Sequence, residues 1–232
     1  QDIRMLEAMF HVSAPTQIYK HWLNAILYYA NNEESIEPRV MRNKLYTLAC
    51  TYMLDRYLCE EKINFETFIY KEDFHATNNT IHWEMIDKGC NVENFVFNFY
   101  DYLTWKLEKQ KYFKFEFTYR TSVEHFYPQH AMDGYPQLDE DSGLHNFGNL
   151  CLISRGMNSK FSNNMPKARF ENFSQGEGIN SLSLKLNEMM DVVRQTGQWS
   201  SLEINDFETK ARHRLLNGIK EGSNHTDINY VE

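Results

Sequence analysis

This sequence predicts an α+β fold, a mainly helical framework holding a short strand, loop, strand, helix insertion, and three observations carry that prediction. Apolar residues recur at helical spacing before residue 111 and again after residue 179; around residue 112 the period switches to two; and a loop rich in Gly, Asp and Pro separates that stretch from a four-residue apolar run at 150–153. At 232 residues the chain can bury roughly 70% of its unfolded surface, enough for one substantial core or two small ones. Sixteen Phe, 14 Tyr and 4 Trp supply that core, and no apolar run approaches the roughly 20 residues of a membrane span.

In chain order, Ile18, Trp22, Ile26 and Tyr29 predict a helix over 18–29, and Leu45, Leu48, Ala49, Tyr52 and Leu54 predict another over 38–58. The polar run Asn31-Asn32-Glu33-Glu34-Ser35 turns between them, and Asn78-Asn79-Thr80 marks a loop before Ile81. The aromatic-dense stretch from Phe95 to Leu107 predicts a buried helix. Tyr112, Lys114, Glu116, Thr118 and Arg120 then alternate with Phe113, Phe115, Phe117 and Tyr119, which predicts a strand ending at Val123, and Pro128 stops regular pairing. After the loop 134–148, Leu150 to Ile153 is a second strand and a helix is expected from about Asn158. Pro166 either follows a short turn or opens a longer helix in its first turn. From Ile179, Leu182, Leu186, Met189, Met190 and Val193 predict another helix, and Phe207 to Ile219 a last one. The expected organisation is a helical region over 1–111, a central module over 112–175 and C-terminal helices over 176–232 packing on the same unit.

The chemistry concentrates in Val123-Glu124-His125-Phe126-Tyr127-Pro128-Gln129, Gly148-Asn149-Leu150 and Asn158. Metal-assisted hydrolysis of a phosphodiester needs a carboxylate and a neutral oxygen to hold a divalent cation. It also needs an imidazole to take a proton from water and a group to fix that imidazole in one tautomer. Glu124, Asn158, His125 and Asn149 can fill those four roles. Adjacent strand residues point to opposite faces, so Glu124 and His125 can share a site only where the strand ends or bends. Asn163 and Asn164 are open to either helix capping or contact with a ligand.

Glu-His-x-x-Pro-Gln, Gly-Asn-Leu-x-Leu and Asn-Ser-Lys-x-Ser-Asn, with Asn149 and Asn158 nine apart, resemble the HNH (ββα-metal) nuclease module. The resemblance is to the DUF1524 branch at the C-terminus of DUF262 proteins, which include the GmrSD-type modification-dependent restriction enzymes. The spacing is also similar to that of the HNH domain of RNA-guided CRISPR nucleases. The motifs cover roughly residues 118–172, and the likeness extends more loosely to the flanking helices.

The resemblance implies a DNA endonuclease of restriction and phage defence, with His125 as general base, Asn149 fixing its ring, and Glu124 and Asn158 holding one Mg2+ or Mn2+. It also implies an upstream nucleotide-binding domain of the DUF262 type, and the opening Gln1-Asp2, without an initiator Met or signal-peptide hydrophobic region, fits a fragment of a longer protein. Glu124 departs from the Asp of many HNH members. A catalytically silent DNA-binding module of the same shape, or an RNase or toxin domain, are the alternatives.

The net charge of −8 does not favour nucleic acid if spread evenly, but Ser154 to Phe170 contains Arg155, Lys160, Lys167 and Arg169 and no acid. Those four are expected to contact DNA phosphates. Lys210, Arg212, His213 and Arg214 form a second basic group whose structural role, complementing a helix C-terminus, is the preferred one. No phosphate-binding Gly-rich loop is present. Four cysteines, at 50, 59, 90 and 151, are too dispersed for a Cys-x-x-Cys clip, and a reduced cytoplasmic protein is expected. His75, His82, His130 and His145 fall in no metal-ligand spacing, and Asp139-Glu140-Asp141 reads as a solvated loop.

Overall fold

The computed structural model describes residues 1–14, 20–70, 73–174, 182–225 and 227–231. The fold is α+β and mostly helical, in two compact units: Gln1–Met85 with Leu215–Glu232, and Ile86–Arg214. Within the second unit, the helices at 94–107 and 184–196 both pack on the central hairpin.

In the first unit, α1 (Asp2–Ser13) buries Met5, Leu6, Met9 and Phe10 at helical spacing, a helix for which no expectation was drawn from the sequence. Phe10 stacks on Trp22 of α2 (His21–Asn32), with ring centroids 5.2 Å apart. Of the residues that predicted this second helix, Ile18 lies outside the described residues. Helix α3 (Pro38–Tyr52) opens on proline, which lacks the N–H that a first turn leaves unpaired, and continues as a π-helical turn, Met53–Tyr57. Buried Asp55 in that turn accepts the backbone N–H groups of Thr77 at 2.8 Å and Asn78 at 2.7 Å, fixing the loop before β1 (Thr80–His82). After the single-turn α4 (Glu66–Ile69), β1 finds its partner near the far end of the chain.

The second unit is built around α5 (Asn94–Leu107), in which every residue from Phe95 to Trp105 is buried. A helix apolar on all sides needs cover on all sides. One side is covered by a two-stranded antiparallel sheet of β2 (Ser122–His125) and β3 (Leu150–Ile153), in register Ser122↔Ile153, Val123↔Leu152, Glu124↔Cys151 and His125↔Leu150.

Of the strand expected from Tyr112 to Val123, only Ser122 and Val123 belong to β2, which runs on to His125. Residues 115–121 have no partner strand, and Phe113 and Tyr119 of the alternating run are 65% and 50% exposed. Directly after β3 comes α6 (Arg155–Phe161), capped by the Ser154 hydroxyl, which accepts from the Met157 N–H. Pro166 opens α7 (Pro166–Ser174), so a short helix and a second, proline-initiated one share the segment.

Of the helix expected from Ile179, that residue lies outside the described residues. Helix α8 (Leu184–Thr196) has Ser183 as its cap and ends at Gly197 in the left-handed region. Helix α9 (Ser201–Gly222) contributes its residues up to Arg214 to this unit, and in the first unit β4 (Asn229–Val231) lies parallel to β1.

Candidate functional site

Strand β2 ends at His125, so Glu124 and His125 are its last two residues. Glu124 is half-buried and its carboxylate accepts from the Ser122 hydroxyl at 2.7 Å. That same hydroxyl accepts from the Asn158 side-chain amide at 3.1 Å, so α6, which packs on β2, brings Asn158 to within one bridging oxygen of Glu124. Among the described residues the other carboxylate oxygen of Glu124 and the amide oxygen of Asn158 accept no hydrogen bond. Two hard oxygen donors, one charged and one neutral, are thus left over, a donor set that suits Mg2+ or Mn2+.

His125 is 6% exposed. Burial, with His145 and Arg169 beside it, holds its ring down to about 4, so it is neutral at physiological pH. Its Nε2 lies 3.0 Å from Nδ1 of His145, and its Nδ1 lies 3.6 Å from the Cys90 thiol. The exposed Cys90 also senses Glu124: burial first, and then that carboxylate, raises the thiol.

Asn149 is placed differently from the expectation. Its Oδ1 accepts from the Tyr127 N–H at 2.8 Å and from the Trp199 indole at 3.2 Å, and its Nδ2 donates to the Tyr127 carbonyl at 3.1 Å and the Leu144 carbonyl at 2.9 Å. A primary amide has two donor hydrogens and two acceptor lone pairs, and all four are engaged. Asn149 therefore pins the chain just after His125 to the loop just before His145, while the His125 ring itself meets His145 and Cys90.

Arg169 also departs from expectation, because it is 3% exposed and turned inward. It donates from Nη1 to the carbonyls of His125 at 2.7 Å and Phe126 at 3.0 Å, and from Nη2 to the Ser162 carbonyl at 2.8 Å. Burial lowers the guanidinium to about 10. A cation so enclosed braces the end of β2 and does not meet a phosphate. Arg155, Lys160 and Lys167 are exposed, as a phosphate-contacting surface requires.

Asn164 donates its side-chain amide to the Lys160 carbonyl at 3.3 Å, finishing α6, and Asn163 is exposed. The second basic group is structural: Arg212 pairs with Asp87 and Glu208 at 2.6 Å each, Arg214 with Glu188 at 2.6 Å, and Lys210 with Glu188 at 3.1 Å.

Behind the hairpin, the carboxylates joined by Arg212 reach the loop that precedes β3. Asp87 accepts the Phe147 N–H at 3.1 Å and Glu208 accepts the Gly148 N–H. A side chain on Gly148 would stand 2.5 Å from the Ile204 carbonyl oxygen, so the motif glycine is required by close packing of α9. From the opposite direction, fully buried Lys185 donates to the Phe147 carbonyl at 2.7 Å and the Leu150 carbonyl at 2.5 Å. His145, Cys90 and Lys185 belong to no local motif, so sequence alone does not point to their place here.

A family model described as the C-terminal domain of GmrSD restriction endonucleases matches residues 70–216. The chain belongs to this family. The GmrSD C-terminal match takes in β2, β3, α6, α7 and α8 together with Cys90, His145 and Lys185, and it makes this part of the chain a restriction-endonuclease nuclease region. No curated protein and no solved structure matches the chain.

In the first unit, Glu60, His82 and Glu84 place one potential ligand atom each within 4.8 Å of one another. Their side chains are 73%, 19% and 44% exposed, and they pair among themselves at 3.6 and 3.0 Å, which accounts for their proximity without a cation.

Proposed function

We propose that this GmrSD-type C-terminal region is a metal-dependent DNA endonuclease of the HNH type, hydrolysing phosphodiester bonds with His125 as general base and one divalent cation on Glu124 and Asn158. The observation that carries it is the Glu124–Ser122–Asn158 chain of hydrogen bonds, with two oxygens left to coordinate, on the same strand whose last residue is the buried and neutral imidazole of His125. Strand, loop, strand and helix follow in the order that a ββα-metal site needs.

When bound, a magnesium or manganese ion there supplies Lewis-acid stabilisation of the charge that develops on the phosphoryl oxygens. His125 takes the proton of the attacking water, a task for which its neutrality at pH 7 is the first requirement. Ser122 holds Glu124 and Asn158 in register. Asn149 is a positioning residue, acting through the backbone around Tyr127, and Arg155, Lys160 and Lys167 hold the DNA backbone. Targeting is assigned in this proposal to a nucleotide-binding domain of the DUF262 type.

Plasmid nicking by the purified chain with Mg2+ or Mn2+, set against EDTA and against His125→Ala, tests the proposal. Metal-dependent nicking lost in the variant supports it. DNA binding that ignores both metal and the substitution, with no cleavage when the nucleotide-binding partner is added, would instead make this a binding module. Competition with RNA separates a DNA nuclease from an RNase.

A further inference from the structure

A neutral imidazole carries one N–H and one lone pair, and which nitrogen serves as the base is decided by what the other one touches. At His125 that neighbour is a second histidine. The Nε2–Nδ1 separation of 3.0 Å to His145 is a hydrogen-bond distance, and the two rings meet edge to face at 65°. Two lone pairs, or two protons, facing each other at that distance would repel, so the pair shares a single proton.

The contact is enclosed by the chain. Gly89, buried at φ +55, donates its N–H to the His145 carbonyl at 3.2 Å, and a side chain there would stand 2.9 Å from His145 Nδ1 and 3.7 Å from His125 Nε2. The opposite edge of the His125 ring, Nδ1, faces the exposed Cys90 thiol. A thiol is a weak donor and 3.6 Å is a long contact, so water can replace it. Asn149 does not compete, since its amide is fully engaged elsewhere.

We propose that His145 is the positioning residue of the base: its Nδ1 accepts the Nε2–H of His125, fixes that tautomer, and so leaves the Nδ1 lone pair of His125 to take the proton of water. The role rests on the reading of His125 as the base. In the step itself, a water O–H bond breaks and its proton passes to His125 Nδ1. The water oxygen bonds to phosphorus, the bond from phosphorus to the leaving oxygen breaks, and that oxygen takes a proton from solvent. The imidazolium that results keeps its Nε2–H on His145.

The test pairs ring-nitrogen NMR of 15N-histidine-labelled full-length chain with nicking kinetics, for the parent, His145→Ala and His145→Asn. The side-chain oxygen of Asn can occupy the place of Nδ1 as an acceptor. The parent is expected to show His125 as the Nε2–H tautomer and His145→Ala to show a mixture. With Mg2+, His145→Ala should lose about 100-fold in kcat with KM for DNA changed less than about twofold, and His145→Asn should recover at least about tenfold of that loss.

A parent His125 in the Nδ1–H form, or an undiminished kcat in His145→Ala, would overturn the proposal. Equal losses in both variants with a lowered Tm would also overturn it, since that pattern marks a merely structural histidine. If the parent cleaves nothing even with its partner domain, the base reading fails on its own account. The tautomer measurement still decides whether His145 holds the ring.

Discussion

Lys167 and Arg169 stand two positions apart on α7 and differ in what decides a cation's role. Lys167 is exposed, whereas Arg169 is enclosed and holds three backbone carbonyls. Hydrogen bonds to a charged group are worth about 1.5–3 kcal/mol, and carbonyls left dry cost more than the bond they lose. Arg169→Met is therefore expected to lower stability by at least about 2 kcal/mol, read from the urea midpoint at constant m. Lys167→Ala should move stability by less than about 0.5 kcal/mol and weaken DNA binding instead. An unchanged midpoint in Arg169→Met would refute the brace.

Gly148→Ala should likewise destabilise, by about 1–3 kcal/mol, because the intruding methyl meets backbone that cannot turn aside. A wild-type midpoint in that variant would show that α9 can shift. The acid-free run from Ser154 to Phe170 was legible as a cationic surface, but burial was not. Residues 167 and 169 look alike in sequence until the turn that buries one of them is known. Glu124 and His125 could be read because their motif is local, whereas His145 is 20 positions from its partner and has no motif of its own.

At the scale of elements, alternation misled where no strand pairs with it among the described residues. Residues 112–120 carry a two-residue period, yet β3 offers only four residues to pair with, and pairing stops at Ser122. The helices read better, since α5 buries a whole aromatic-dense run and α8 an apolar stripe, each plain in its own sequence. What they hold could not be read. Lys185 on α8 is a fully buried ammonium between the carbonyls of Phe147 and Leu150, and burial lowers it to about 8 from 10.5.

The unfolded chain keeps this proton up to about pH 10.5, while the folded chain releases it near 8. Between those values the unfolded state binds more protons, so this group makes stability rise with pH. The parent is expected to gain relative to Lys185→Met across pH 8 to 10.5, by up to about 3 kcal/mol from 1.36 kcal/mol per pH unit. Chemical denaturation of both proteins at several pH values measures this. Parallel profiles would show that the ammonium is not held in the core as described.

For the molecule as a whole, a net charge of −8 and three exposed cations in the 154–170 segment bound what electrostatics can contribute. If Arg155, Lys160 and Lys167 supply the phosphate contacts, log K for duplex DNA should fall with log salt at a slope of roughly −3, and each Ala substitution should reduce it by about one. Fluorescence anisotropy between about 50 and 200 mM salt gives the slope. A value steeper than about −5 would mean that other cations carry the binding.

The division into units was not legible at all, because it depends on a parallel pairing between Thr80 and Asn229, 149 positions apart. That pairing also bears on the order in which the protein can be made. A ribosome adds about 5–20 residues per second. All of Ile86–Arg214 is delivered as one continuous run, whereas the other unit lacks the 18 residues of Leu215–Glu232 until that run has been made. The nascent chain therefore holds every residue of the proposed reaction centre before β1 has any strand to lie against.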